Sequence, residues 1–395
     1  MYDLDEPRGL VMIYIVVGLV TSAIALVANQ FIGKTVIIDQ GDRLVRSYSA
    51  KPVQILLFAF ISAIYIVLAG IRYQVGTDYT TYLKFQIPKA LGLVHRSGYN
   101  VEFLYQKLIE IGGYFGSYQL IFLLTHILII VFCFMYIWTR STNYALSLYI
   151  FMFSTFFNFS LNGMRQAIAT TIFLFATQYI VQRAPLKYFF WIFIAILFHK
   201  SGVLYLLFYF LRFVRLKYLR FYFLPLLVAA PVVIVNSDWI NSILYWLSLK
   251  LGFYSRFFGS TYDGNNLFNS FNLIWIMVNL FLLFLIIFFN QRSYWTHTPN
   301  GDNFDNSFNL DINIQVIATL FSLLSFAIPG SFRVIYLFIP IQMTLVPNLV
   351  TKIREREMRL VVTCGILFMY ALLFFIIIIV WHYNVTLPYQ TIFSH

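Results

Sequence analysis

Long apolar runs separated by short polar stretches make up nearly the whole chain. Many reach the ~20 residues that an α-helix needs to cross a hydrocarbon core. They predict spans at 9–32, 52–71, 117–139, 144–160, 164–182, 187–199, 201–213, 221–236, 271–290, 312–328, 333–350 and 360–382. One stretch, Val101 to Ile111, is amphipathic and predicts a helix lying on or dipping into the membrane surface. The expected fold is all-α: a polytopic integral membrane protein of about 11–12 transmembrane or re-entrant helices, with residues 1–395 forming one membrane domain. No internal repeat interrupts the pattern.

The polar stretches set the topology. Lys34/Arg43/Arg46/Lys51, Arg183/Lys187, Arg212/Arg215/Lys217/Arg220 and Lys352/Arg354/Arg356/Arg359 are basic loops. Basic loops stay on the cytoplasmic side, so both termini are predicted outside, in agreement with the acidic N-terminus. The segment between Arg183 and Arg215 must then go in and return. Each arm holds about 13 residues, or ~20 Å of α-helix against a ~30 Å core. This predicts a re-entrant hairpin or a strongly tilted pair with His199 at its tip; a single kinked span is the rival. Residues 72–116 and 237–270 become outward-facing loops, the second an aromatic cover with Trp239, Tyr245, Trp246, Tyr254 and Tyr262.

Composition strengthens the membrane reading. Of 395 residues, 61% are hydrophobic and only 11% charged, and the mean hydropathy is +0.79. A soluble domain carries roughly 25% charged residues. The net charge of +12 belongs to the loops between spans, so no nucleic-acid partner is expected and the lipid bilayer is the main surroundings. The N-terminus lacks a basic n-region, and 9–32 is long enough to span, so no cleavable signal peptide is expected. Cys133 and Cys364 lie in apolar runs and suggest neither a disulfide framework nor a zinc site. With no Asp-rich motif, Walker loop or Gly-x-Ser-x-Gly elbow, no metal and no cofactor are expected.

Charged residues at the mouths of spans are costly unless they pair or meet a ligand, and four outward elements hold them. Arg72 and Asp78 flank Gly76 in Arg72-Tyr73-Gln74-Val75-Gly76-Thr77-Asp78. Asn162-Gly163-Met164-Arg165-Gln166 opens a span, where Asn162 is expected to cap a helix whose free N–H groups, with Arg165, suit a phosphate. Pro329-Gly330-Ser331-Phe332-Arg333, followed by Tyr336, repeats that device. Phe198-His199-Lys200-Ser201 places a histidine, a candidate base or hydrogen-bond donor, at the hairpin tip. Glu102 is a candidate second carboxylate, although a solvated face also explains it. An interfacial arginine reaching headgroups, or a histidine buried in the interior, is the plainer reading of each element taken alone. His126 and His382 have no polar motif nearby and read as structural.

Taken together and in order, these elements resemble the EpsG family of bacterial exopolysaccharide polymerases, relatives of the Wzy-type O-antigen polymerases. The matching residues are Arg72-x-x-Val75-Gly76-Thr77-Asp78-Tyr79-x-x-Tyr82, Gly98-Tyr99-x-x-Glu102, Asn162-x-x-Arg165-Gln166-x-x-Ala169, His199-Lys200-Ser201, Arg333-x-x-Tyr336 and Leu387-Pro388-Tyr389. The resemblance implies a membrane glycosyltransferase of GT-C-like architecture in the bacterial inner membrane, with its active site facing outward. Its substrate would be an oligosaccharide on undecaprenyl pyrophosphate, and the growing glycan would pass to the non-reducing end of the next lipid-linked unit, with inversion and without metal. His199, Asp78 and Glu102 are then the candidate catalytic residues. Arg72, Arg165, Arg333, Asn162, Gln166 and Tyr336 are the candidate pyrophosphate and substrate contacts. By analogy, a chain-length regulator in the membrane is an expected partner. An O-antigen ligase uses the same donor, a lipid-linked oligosaccharide flippase needs similar spans and cations, and a non-catalytic scaffold would need none of these residues.

Overall fold

The computed structural model describes residues 12–30, 36–39, 44–47, 52–95, 100–214, 225, 228, 232–233, 236–251, 258, 266–291, 301–328 and 330–393. Most of the expected span at 221–236, the pair Gly98-Tyr99, and Tyr254 and Tyr262 of the expected aromatic cover lie outside these residues.

The protein is a helical, multi-pass membrane protein. Among the described residues, six helices are long and apolar enough to cross a membrane, or seven if one bent pair counts as a single span. The elements run α1 (Ile13–Asn29), β1 (Val36–Asp39), β2 (Leu44–Ser47), α2 (Pro52–Gly70), α3 (Phe103–Tyr114), α4 (Tyr118–Arg140), α5 (Tyr144–Phe153), α6 (Phe156–Asn162), α7 (Met164–Val181), α8 (Pro185–Phe198), a 3-10 arm (Lys200–Phe213), α9 (Ser237–Leu251), α10 (Asn266–Gln291), α11 (Gly301–Leu324), α12 (Gln342–Lys352) and α13 (Arg356–Phe374). β1 and β2 pair antiparallel as a small hairpin, a local departure from the all-helical expectation. The expected span 144–160 is the bent pair α5–α6, which meets at 49°. The amphipathic surface helix forms as α3.

α7 is the central helix. It is apolar or threonine-lined on every side, and every residue from Gln166 to Thr177 is buried, as expected of a helix surrounded by others. The arms that follow it fold back on themselves. Tyr188 packs on Tyr209, and a Cβ on Gly202 would lie 2.9 Å from the Ile196 backbone nitrogen. Residue pairs that close toward His199 define an antiparallel hairpin, so the single kinked span does not form. The second arm is also longer than an α-helical estimate allows. Fourteen residues of 3-10 helix rise about 28 Å, which matches the ~27 Å of the eighteen-residue α7. The arm runs beside α7: Thr170 and Phe173 meet Tyr205, Phe173 meets Phe208, and Val181 lies near Phe213. The hairpin therefore extends the full height of its neighbour.

Two ends can be told apart. α4 starts beside Arg72, where Gln119 donates to the Arg72 carbonyl at 2.7 Å. It finishes at Arg140, which pairs with Asp311 of α11 and donates to the Ser307 carbonyl at 3.1 Å. Lys352 lies 4.0 Å over the Phe308 ring at that same basic end. Between the ends, Asn279, Gln315, Gln342 and Tyr370 form a buried hydrogen-bonded cluster. Each carboxamide there finds a partner that lipid could not supply.

A final segment returns to the first loop. The Tyr73 N–H donates to the Gln390 carbonyl, Ile392 to Ile71, Gly76 to Val385 and Thr77 to Asn384. The Tyr389 hydroxyl donates to the Leu68 carbonyl, and Tyr14 to Thr386. Residues 383–392 thus strap the loop that leaves α2 to the bundle.

Candidate active site

The loop after α2 owes its shape to Gly76. At φ +102° a side chain would be strained, and a Cβ would lie 2.7 Å from Asn162 Oδ1. That oxygen accepts from Thr77 Oγ1 at 3.0 Å and from the Asp78 N–H at 3.1 Å. The amide of the same side chain donates to the Asn384 carbonyl at 3.2 Å. Asn162 is therefore a clamp between the Asp78 loop and the strap. It does not cap α7, because the break between α6 and α7 falls at Gly163, which takes the N-cap position.

Arg72 and Asp78 do not pair. Arg72 is fully buried and donates to the carbonyls of Leu161 and Val75. Its guanidinium lies 4.9 Å over the Phe122 ring, so carbonyls and an aromatic face take the place of a carboxylate. Asp78 instead meets Arg333, with Oδ2 3.3 Å from its guanidinium. Arg333 lies in the five-residue turn Ser331–Ile335, where the apolar span Arg333–Lys352 begins. Arg333 thus stands at the start of a span, and it acts there through its own charge. Gln166 positions that turn by donating to the Arg333 carbonyl.

Arg165, in the first turn of α7, binds Glu102. Glu102 stands just before α3 and makes no cap bond to it; its other oxygen accepts the Lys200 N–H at 3.3 Å. One carboxylate thereby ties α3, α7 and the hairpin tip together. Burial raises the Glu102 pKa, but the Arg165 guanidinium and the adjacent His199 ring outweigh it and hold the group below the ordinary carboxylate range. The Tyr82 hydroxyl bonds to Arg165 and sits within electrostatic reach of both Asp78 and Arg333. It joins the two ion pairs into one constellation.

His199 faces the same constellation from the tip. Burial lowers its pKa to about 4; Glu102 opposes the shift, while Arg165, Arg333 and Lys200 add to it. The ring is neutral at pH 7. Its Nδ1 accepts the Ser201 N–H at 3.1 Å, so hydrogen-bond geometry assigns the remaining proton to Nε2. His199 thus presents a donor.

Asp78, Glu102, Arg165, His199 and Arg333 come together at one end of the bundle, with Asn162 and Gln166 directly behind them. Arg72 lies beneath the loop. Tyr336 lies deeper: it is fully buried, stacks on Phe159 with centroids 4.2 Å apart, and shares a hydrogen bond with Thr155. Sequence reading gave no role to Tyr82, although it closes the Arg72 motif, and none to Asn384, which carries no signal in the chain.

The family model described as "EpsG family" matches residues 55–391. The chain belongs to the EpsG family. Membership makes it a polysaccharide-polymerase-like membrane protein. No curated protein and no solved structure matches it. The EpsG match takes in every residue of the constellation and nearly all of the strap.

Proposed function

We propose that this EpsG-family protein is a polysaccharide polymerase that joins lipid-linked repeat units on the outer face of the bacterial inner membrane. The observation that carries the reading is the pairing of Arg165 with Glu102 and of Arg333 with Asp78 around Tyr82 and His199. Two guanidiniums on one surface suit the two phosphates of undecaprenyl pyrophosphate, and the pyrophosphate displaces the carboxylates when it binds. The His199 Nε2–H adds a neutral donor.

In the proposed step an acceptor hydroxyl of one lipid-linked unit attacks the anomeric carbon of the growing glycan. The new C–O bond forms as the bond to pyrophosphate breaks, and the electron pair leaves on the pyrophosphate oxygen. Asp78, released by Arg333, takes the hydroxyl proton. Arg165 and Arg333 stabilise the charge developing on the leaving group. Attack opposite the leaving group inverts the anomeric centre. The gathering of Arg183, Arg212 and Lys352 at the other end supports an outward-facing site by the positive-inside rule.

The test uses purified protein and an undecaprenyl-pyrophosphate-linked repeat unit, with Arg165→Ala and Arg333→Ala. Loss of polymer with retained folding is expected. Wild-type rates in both variants would overturn the pyrophosphate assignment. Single-unit transfer to a lipid A-core acceptor, with no longer glycan formed, would make the protein a ligase instead.

A further inference from the structure

At the basic end, about 24 Å along α7 from Arg165, a cavity of about 360 Å³ opens between the end of α7, the end of the 3-10 arm and α11. Arg183, Arg212, Asn309 and Asn313 line it, with apolar walls from Ile180, Leu211 and Leu310. Among the described residues, no acidic side chain lines it.

Both arginines are placed at a cost or with support. Arg183 follows α7 at φ +56°. Its N–H bonds to the Ile180 carbonyl, and that of Ala184 to Tyr179. This is the helix-ending turn whose left-handed position glycine normally fills, so the backbone accepts strain to keep an arginine there. Arg212 donates to the Tyr209 hydroxyl at 2.7 Å and lies 4.9 Å over the Phe213 ring. Its planar fork is held ready, and among the described residues no carboxylate pairs with it. The frame is fixed as well, because Asn313 donates to the carbonyls of Leu211 and Val214 at 3.0 and 2.8 Å.

We infer that this cavity binds a phosphate group between Arg183 and Arg212, carried by an anionic lipid of the leaflet that faces the basic loops. Guanidinium forks match phosphate oxygens, and the apolar walls beside them suit the glycerol and first methylenes of a lipid. The site uses none of the chemistry at the other end of the bundle.

The experiment places purified protein in phosphatidylcholine nanodiscs and titrates in phosphatidylglycerol, with bound lipid read by native mass spectrometry and the unfolding midpoint read in parallel. Wild type is expected to retain phosphatidylglycerol and gain thermal stability. Arg183→Gln/Arg212→Gln is expected to bind it roughly tenfold more weakly. Arg354→Gln/Arg356→Gln removes the same charge from the same end and is expected to bind as wild type. Arg183→Gln alone, at an exposed position, provides a folded variant if the double one misfolds, and it too is expected to bind more weakly. Equal binding by wild type and the cavity variants, or equal loss in the Arg354/Arg356 control, overturns the site. A response to inorganic phosphate alone, lost in the cavity variants, supports the site with a soluble anion as occupant.

Discussion

Two arginine–carboxylate pairs in this molecule have the same chemistry and opposite surroundings. Arg140–Asp311 is sealed at the basic end, with side chains 5% and 0% exposed. Thr344 also bonds to Asp311, and Asn348 covers the Arg140 carbonyl. Arg333–Asp78, at the other end, has side chains 37% and 26% exposed. A sealed pair has no exchange partner, and breaking it strands a charge. A half-open pair exchanges its carboxylate for another anion at little cost. The first holds helices together; the second is suited to handling a ligand.

The largest expected effect breaks the sealed pair. Arg140→Ala should lower stability by about 3–5 kcal/mol, seen as a fall in folded yield and in unfolding temperature. Replacing both partners by apolar residues, Arg140→Met/Asp311→Leu, should recover most of the loss. If Arg140→Ala unfolds like wild type, the contrast between the two ends fails.

At the open pair the signature should reverse. Arg333→Ala or Asp78→Asn should change stability by about 0–1 kcal/mol while polymer synthesis falls about 10²–10³-fold. Kinetics and thermal unfolding on the same preparations separate the two. Gly76→Ala sharpens the comparison without touching a charge: the added methyl pushes on Asn162 and moves Asp78. A rate loss of roughly 10–100-fold is expected, most of it in kcat.

The smallest effect is in pH. His199 has a folded pKa lowered to about 4, below its unfolded value of about 6.5. Protons therefore bind the unfolded chain first, and stability falls as pH drops from about 6.5 toward 4. Glu102, also held low by its neighbours, contributes fully above its unfolded value and loses that contribution as pH falls through its folded one. Unfolding midpoints measured between pH 8 and 5 should decline for wild type and be flatter for His199→Gln. An identical decline in both would remove His199 as the cause.

Much of the architecture could be read from the chain. Apolar run lengths located most helices, and the spacing of basic loops called for the hairpin. What they could not give was its helix type: the 3-10 rise makes the second arm longer than residue counting at α-helical rise suggests. At the site, the cost of charge near a membrane pointed to Asp78, Glu102, Arg165, His199 and Arg333. The partnerships were hidden, because neighbours in sequence, Arg72 and Asp78, compete with residues brought close only by packing. Arg72 could be satisfied by backbone carbonyls and a ring face, which leave no trace in a motif. Asn162 carried the signal of a helix cap, but the adjacent glycine made the break and freed its side chain for the loops.

The strap of residues 383–392 gives the protein a schedule. Tyr389 bonds to Leu68 across 321 residues of chain, and Asn384 and Val385 fasten Gly76 and Thr77. A ribosome delivers α2 and the Asp78 loop to the membrane long before it delivers their fastening. During synthesis the nascent protein can therefore insert and pack its helices while the loop bearing Asp78 is still unfastened. On the proposed function, activity is expected only after the strap has been translated and docked, so a stop codon just past α13 should leave a membrane-inserted but silent protein.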